Sequence, residues 1–162
     1  MNNLIATFFN VGYMRPAPGT WGSLAALPVA YVIVTFTGAL GLLVASIIAY
    51  FIGLQATRAV TAGADNHDPS EIVIDEVVGQ WIALLPAAIG AQMMAVSYLT
   101  LWPAWIAGFA LFRLFDITKP WLVGWADRRD DAVGVMLDDV IAGVFAAIGV
   151  VALAAISHLV LM

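Results

Sequence analysis

The chain has 162 residues, 63% of them hydrophobic and only 10% charged, with a mean hydropathy of +0.98. Soluble domains carry about 25% charged residues, so no water-facing surface can be assembled from this set and lipid must cover much of the molecule. A formal charge of −5 with six scattered basic residues argues against a nucleic-acid partner, and the lack of cysteine excludes disulfides, thiolate metal sites and cysteine nucleophiles.

Met1 to Phe9 has no positive residues ahead of its short apolar run, so it reads as an interfacial segment or short surface helix and not as a signal peptide. Five apolar stretches follow, at about Trp21–Phe36, Leu40–Thr57, Ile72–Ile89, Met93–Phe115 and Val135–Leu161. A membrane helix needs roughly 17–25 residues. The first and third stretches are marginal and each contains a proline, Pro28 and Pro86. Counts of four to six spans are arguable. The pattern predicts an all-α polytopic transmembrane bundle of about five membrane helices, forming one membrane-embedded domain over residues 1–162.

Charge placement supports that count. Every acidic and basic residue lies before the first stretch, between the second and third, between the fourth and fifth, or at the adjoining helix ends. The turns at Thr37–Ala39 and Gly90–Gln92 carry none. Five crossings therefore gather all charge on one face, which the positive-inside bias makes cytoplasmic, with the N-terminus inside. The alternative is a cation transporter or channel subunit, but an ion path needs charge at mid-membrane or on both faces.

Four blocks carry chemistry. Gly12 to Ser23 leads into the first stretch. Its Gly19, Thr20, Gly22 and Ser23 offer backbone N–H groups and hydroxyls at a helix start, which suits either phosphate binding or plain capping. Asp75 and Glu76 sit side by side in an apolar helix start, where ionised groups are costly and usually face a cavity. Arg113, Asp116 and Lys119 are spaced three apart and share a face if helical. Asp138 and Asp139 open the last stretch, just before Ala142 and Gly143, which permit close helix packing.

Asp75, Glu76, Asp116, Asp138 and Asp139 thus fall at one depth on one side. Such carboxylates cannot cluster ionised without compensation. A hard divalent cation supplies it, and Mg2+, which takes oxygen ligands and bridges to phosphate, is the expected cofactor. Arg113 and Lys119 would neutralise a bound phosphate. His67 and His158 form no convincing pair, and Asp127 to Asp131 reads as a solvated loop.

These four blocks, in this order, resemble the phosphatidylglycerophosphatase A family. They are Pro18–Ser23, Ile72–Gly79, Phe112–Pro120 and Gly134–Gly143, and the likeness spans about residues 12–143. The resemblance implies a bacterial inner-membrane enzyme with a cytoplasm-facing site. It implies magnesium-dependent hydrolysis of a phospholipid substrate, phosphatidylglycerophosphate, to phosphatidylglycerol and phosphate. It places the acidic roles on Asp75, Glu76, Asp116, Asp138 and Asp139 and the basic roles on Arg113 and Lys119. One departure is Trp121-Leu122, where many relatives have a second proline. Water or an aspartate could be the nucleophile, with water preferred because no carboxylate stands apart. Homo-oligomerisation is left open.

Overall fold

A computed structural model describes residues 1–63 and 69–161. Its order is α1 (Asn2–Ala6), a 3-10 turn (Val11–Tyr13), α2 (Pro18–Thr61), α3 (Ile74–Met93), a second 3-10 turn (Tyr98–Leu101), α4 (Trp102–Thr118), α5 (Leu122–Asp127) and α6 (Ala132–Leu161). Four of these helices are long and apolar enough to cross a membrane. Asp65, His67 and Asp68 lie outside the described residues.

The 44 residues of α2 would extend about 66 Å at 1.5 Å per residue, twice the ~30 Å hydrocarbon core. The helix breaks at Gly38, whose φ of 70° and ψ of −170° a side chain would disfavour. The Ala39 N–H, freed by the break, donates to Gln92 Oε1 at 3.2 Å. Gly22 packs on Val73, and Gly53 packs on the adjacent Ile74 and on Met136. Both halves of α2 therefore return to the same end of α3, and α2 is a helical hairpin turning where Thr37–Ala39 was expected to turn.

α3 is the central helix, with Val77, Val78, Leu84 and Ala88 buried. It presses against α6 without side chains between them. A Cβ on Gly143 would overlap the Gly79 carbonyl oxygen, and one on Gly79 would lie 2.5 Å from Asp139 O and 2.5 Å from Phe112 Cε2. This small-residue seam allows the backbones to approach closely and sets Asp139 beside the first turn of α3. Gly108 gives α4 a similar approach to α3, 3.2 Å from Ala83 O to the position a Cβ would take. α1 and the segment ahead of α2 brace the approach to α3, since the Val73 N–H donates to Ala6 O at 2.9 Å and Arg15 pairs with Glu71 at 2.7 Å.

Several boundaries differ from the expected ones, and three of the differences have a local cause or add an element. The fourth stretch does not begin at Met93, because α3 runs to that residue. A turn through Ala95, at φ 53°, and the 3-10 segment then precede α4. α6 starts at Ala132, three residues earlier than Val135, because Asp131 caps it: its Oδ1 accepts the Gly134 N–H at 2.7 Å. α5 is an additional short helix after Pro120. Alternating helix directions bring Arg58, Asp75, Glu76, Arg113, Asp116, Asp138 and Asp139 to one end of the bundle. The opposite end holds Gly38, Gln92 and the Met93–Leu101 turn and, among the described residues, no charged side chain.

Candidate active site

Each charged side chain reaches the site from a helix end. Asp75 and Glu76 occupy the first turn of α3, where the helix dipole favours negative charge. Asp75 Oδ1 accepts the Glu76 N–H at 3.0 Å. Asp138 and Asp139 lie in the second turn of α6, 5% and 3% exposed, and Asp138 Oδ1 accepts the Asp139 N–H at 2.9 Å. α4 contributes Arg113 and Asp116, whose Nη1 and Oδ2 are 2.5 Å apart. Lys119 does not continue that helix. It is the C-cap, in the left-handed region at φ 47° and ψ 50°. Its Nζ pairs closely with Asp138 Oδ2 and lies 3.5 Å from Asp116 Oδ1 and 3.1 Å from Asp127 Oδ1.

Two groups result, both opening on a cleft of about 330 Å3. One is anionic: Asp75, Glu76 and Asp139 each present a carboxylate oxygen, all within 4.8 Å of one another. The other is an ionic ladder in which Arg113 and Lys119 flank Asp116. Burial works against the charge on Lys119, but Asp138 and then Asp116 outweigh it and hold its pKa above the usual lysine value. Among the described residues Glu76 Oε2 and Asp139 Oδ1, both buried, have no hydrogen-bond partner. Charged oxygens left so are costly, and hard oxygen donors at this spacing suit a divalent cation.

The phosphate block is only partly at the cleft. Ala17, Pro18 and Gly19 line it. Gly19 is tightly enclosed, since a Cβ there would overlap Glu76 Oε1 and lie 3.2 Å from Arg113 Nη1. Of the four residues read as suited to phosphate binding or capping, only Gly19 lines the cleft. Thr20 does not line the cleft. Gly22 faces away because it is packed on Val73, 2.8 Å from its Cβ to the position a side chain would take. Ser23 stands behind the wall: its hydroxyl donates to Gly19 O at 2.8 Å and lies 3.5 Å from Arg113 Nη1. The helical turn of about 100° per residue disperses four consecutive positions around α2.

Asp127 was read as part of a solvated loop, yet its carboxylate reaches Lys119. No spacing rule connects the two, because the contact exists only once α5 has folded back. Ser70, on the segment braced by α1, also lines the cleft. The remaining acids and bases singled out from the sequence all come together there. Among the described residues no charged side chain lies in the opposite half of the bundle, so the ion-path alternative gains no support.

Membrane-length helices gather buried carboxylates and paired cations at one end, a site on a polytopic helical bundle. Residues 4–154 match the family described as Phosphatidylglycerophosphatase A, and the chain belongs to that family of lipid phosphatases. It is 36% identical to a Haemophilus influenzae protein named Phosphatidylglycerophosphatase A, over 93% of this chain and 87% of the relative. It is 34% identical to the Escherichia coli protein of the same name, over 90% of this chain and 78% of the relative. A Bacteroides thetaiotaomicron protein named "Putative phosphatidylinositol-3-phosphatase" is 39% identical over 88% of this chain and 86% of the relative. No solved structure matches the chain.

Proposed function

We propose that this chain hydrolyses the terminal phosphate monoester of phosphatidylglycerophosphate, giving phosphatidylglycerol and inorganic phosphate. The observation that carries the reading is the convergence of five acids and two bases, distant in sequence, on one cleft at the charged end of the bundle. The two phosphatidylglycerophosphatase relatives point to the same substrate. In this reading the two halves of α2 with α3, α4 and α6 make five crossings of a bacterial inner membrane, and the positive-inside bias puts the charged end in the cytoplasm.

The acyl chains stay in lipid while the headgroup enters the cleft. Arg113 and Lys119 bind the terminal phosphate oxygens, and the free N–H groups at the start of α2, around Gly19, add a positive dipole end. Asp116 orients both cations through its two oxygens. Asp75, Glu76 and Asp139 would hold Mg2+, consistent with their mutual distances and the two partnerless oxygens. When bound, the ion supplies Lewis-acid polarisation of the phosphoryl group. Water attacks phosphorus in line, a cleft carboxylate accepts its proton, the ester P–O bond breaks, and that carboxyl returns the proton to the departing glycerol oxygen. Asp116 and Asp138 are both held by cations, which leaves neither well suited to attack phosphorus itself.

The test is purified protein in detergent micelles with phosphatidylglycerophosphate, with and without chelator, and phosphatidylinositol 3-phosphate as the competing substrate. Phosphate release from the first lipid, lost with chelator and restored by Mg2+, is expected. Release unaffected by chelator would refute the metal assignment. Preference for the phosphoinositide would refute the substrate assignment.

A further inference from the structure

The backbone around Lys119 is built in a way that its own helix does not require. Helices that end in the left-handed conformation usually place glycine there, because a side chain costs about 1–2 kcal/mol. Here the position is lysine at φ 47°, and Trp121 follows at φ 44°. Such outliers persist when surrounding structure holds them. The holding element is α5. Gly124 allows it to fold back until a Cβ would lie 2.5 Å from Lys119 O, and Val123 and Ala126 are fully buried beneath it. Its last residue, Asp127, then puts Oδ1 3.1 Å from Lys119 Nζ. An acid at a helix C-terminus opposes the helix dipole, so α5 itself gains nothing from this carboxylate.

The three carboxylates around Lys119 are not equivalent. Asp116 and Asp138 line the cleft, with side chains 12% and 7% exposed. Asp127 does not line it and is 41% exposed. The Lys119 ammonium is therefore shared between two carboxylates of the cleft and one outside it.

We propose that Asp127 is a positioning residue: α5 carries its carboxylate to Lys119 Nζ and thereby sets that ammonium against the substrate phosphate. This rests on the phosphate-binding reading of Lys119 given above. Asp127 touches neither substrate nor metal in this scheme, so its effect must pass through Lys119.

The experiment is steady-state kinetics of the full chain in mixed micelles containing phosphatidylglycerophosphate, with thermal midpoints measured in the same detergent. Displacing a catalytic charge by a fraction of an ångström to 1 Å costs up to about 10²-fold, so Asp127→Asn and Asp127→Ala are each expected to lower kcat about ten-fold, with KM changed less than about two-fold. Asp127→Glu should regain most of the loss, and Asp130→Asn, an exposed acid on the same loop, should have no effect. In a Lys119→Gln background, adding Asp127→Asn should cause no further loss. Losses that multiply in that background overturn the proposal. So does a lowered thermal midpoint with kcat per folded enzyme unchanged in both single variants. Full activity in Lys119→Gln alone refutes the phosphate role of Lys119, and the proposal falls with it.

Discussion

Gly19 offers a sharp separation of activity from stability. It is the second residue of α2, after Pro18, and its α-carbon faces Glu76 and Arg113. In Gly19→Ala the new methyl would overlap Glu76 Oε1, lie 3.1 Å from Glu76 Cδ and 3.2 Å from Arg113 Nη1. An ordinary C···O contact is about 3.3–3.6 Å, so the carboxylate must withdraw by roughly 1 Å. It would leave the other two members of its trio, Asp75 and Asp139. The backbone itself gains, since alanine is favoured over glycine in helices by about 0.5–1 kcal/mol. A 1 Å misplacement of a reacting group can cost about 10²-fold, or about 2.7 kcal/mol of barrier. The expected outcome is a thermal midpoint equal to or above that of the parent, with kcat/KM down about 10²-fold. Phosphate release from phosphatidylglycerophosphate micelles and a thermal-shift measurement in the same detergent decide it. Gly90→Ala is the control, because its Cβ would meet only Leu101 Cδ1 at 3.5 Å. Activity within about three-fold of the parent in Gly19→Ala would refute the placement of Glu76 at the centre of the site.

Gly143→Ala drives a methyl into the Gly79 carbonyl and must part α3 from α6, so a loss of about 1–3 kcal/mol in stability is expected together with lost activity, read by thermal unfolding and assay. Asp131→Ala removes the cap on the Gly134 N–H and should cost about 1 kcal/mol of stability while activity of the folded protein holds, read by the same pair of measurements. The pH dependence of Lys119 has a definite sign. Its folded pKa is raised above the ordinary 10.5, so the stability it contributes is fully present below 10.5 and lost only as pH rises through the folded value. The thermal midpoint advantage of the parent over Lys119→Gln should therefore not diminish between pH 7 and about pH 10, and a difference that fades within that range would contradict the ion-pair geometry.

What the sequence made legible was mostly what hydropathy and charge encode directly. The turn at Gly38 was visible because an apolar run of 44 residues cannot cross a bilayer once, and because Thr37–Ala39 is its weakest point. The one-sided charge was visible because connecting segments alternate between faces. Asp75, Glu76, Asp116, Asp138 and Asp139 stood out because ionised groups beside apolar helices need a reason. The rest depended on facts that a linear string hides. Gly22 and Gly19 look alike in sequence, but the turn of α2 aims one at Val73 and the other at Glu76. Ala95 takes a positive φ without any glycine or proline to announce it. Asp127 appeared to belong with its charged neighbours, and only the fold-back of α5 over Gly124 gives it a partner.

The uncharged end of the bundle bears on how such a chain enters lipid at all. The peptide that must be pushed through the hydrocarbon consists of Gly38 and its neighbours, Gln92 with the Met93–Leu101 turn, and the far end of α6 around His158. None of these segments holds an Asp, Glu, Lys or Arg, so no such charge has to be stripped of water on the way across, at several kcal/mol apiece. α2 folded about Gly38, and α3 with α4, can each slip in as a preformed pair while their charged ends never leave the aqueous side. Orientation then becomes one decision for the whole molecule, settled before the cleft exists.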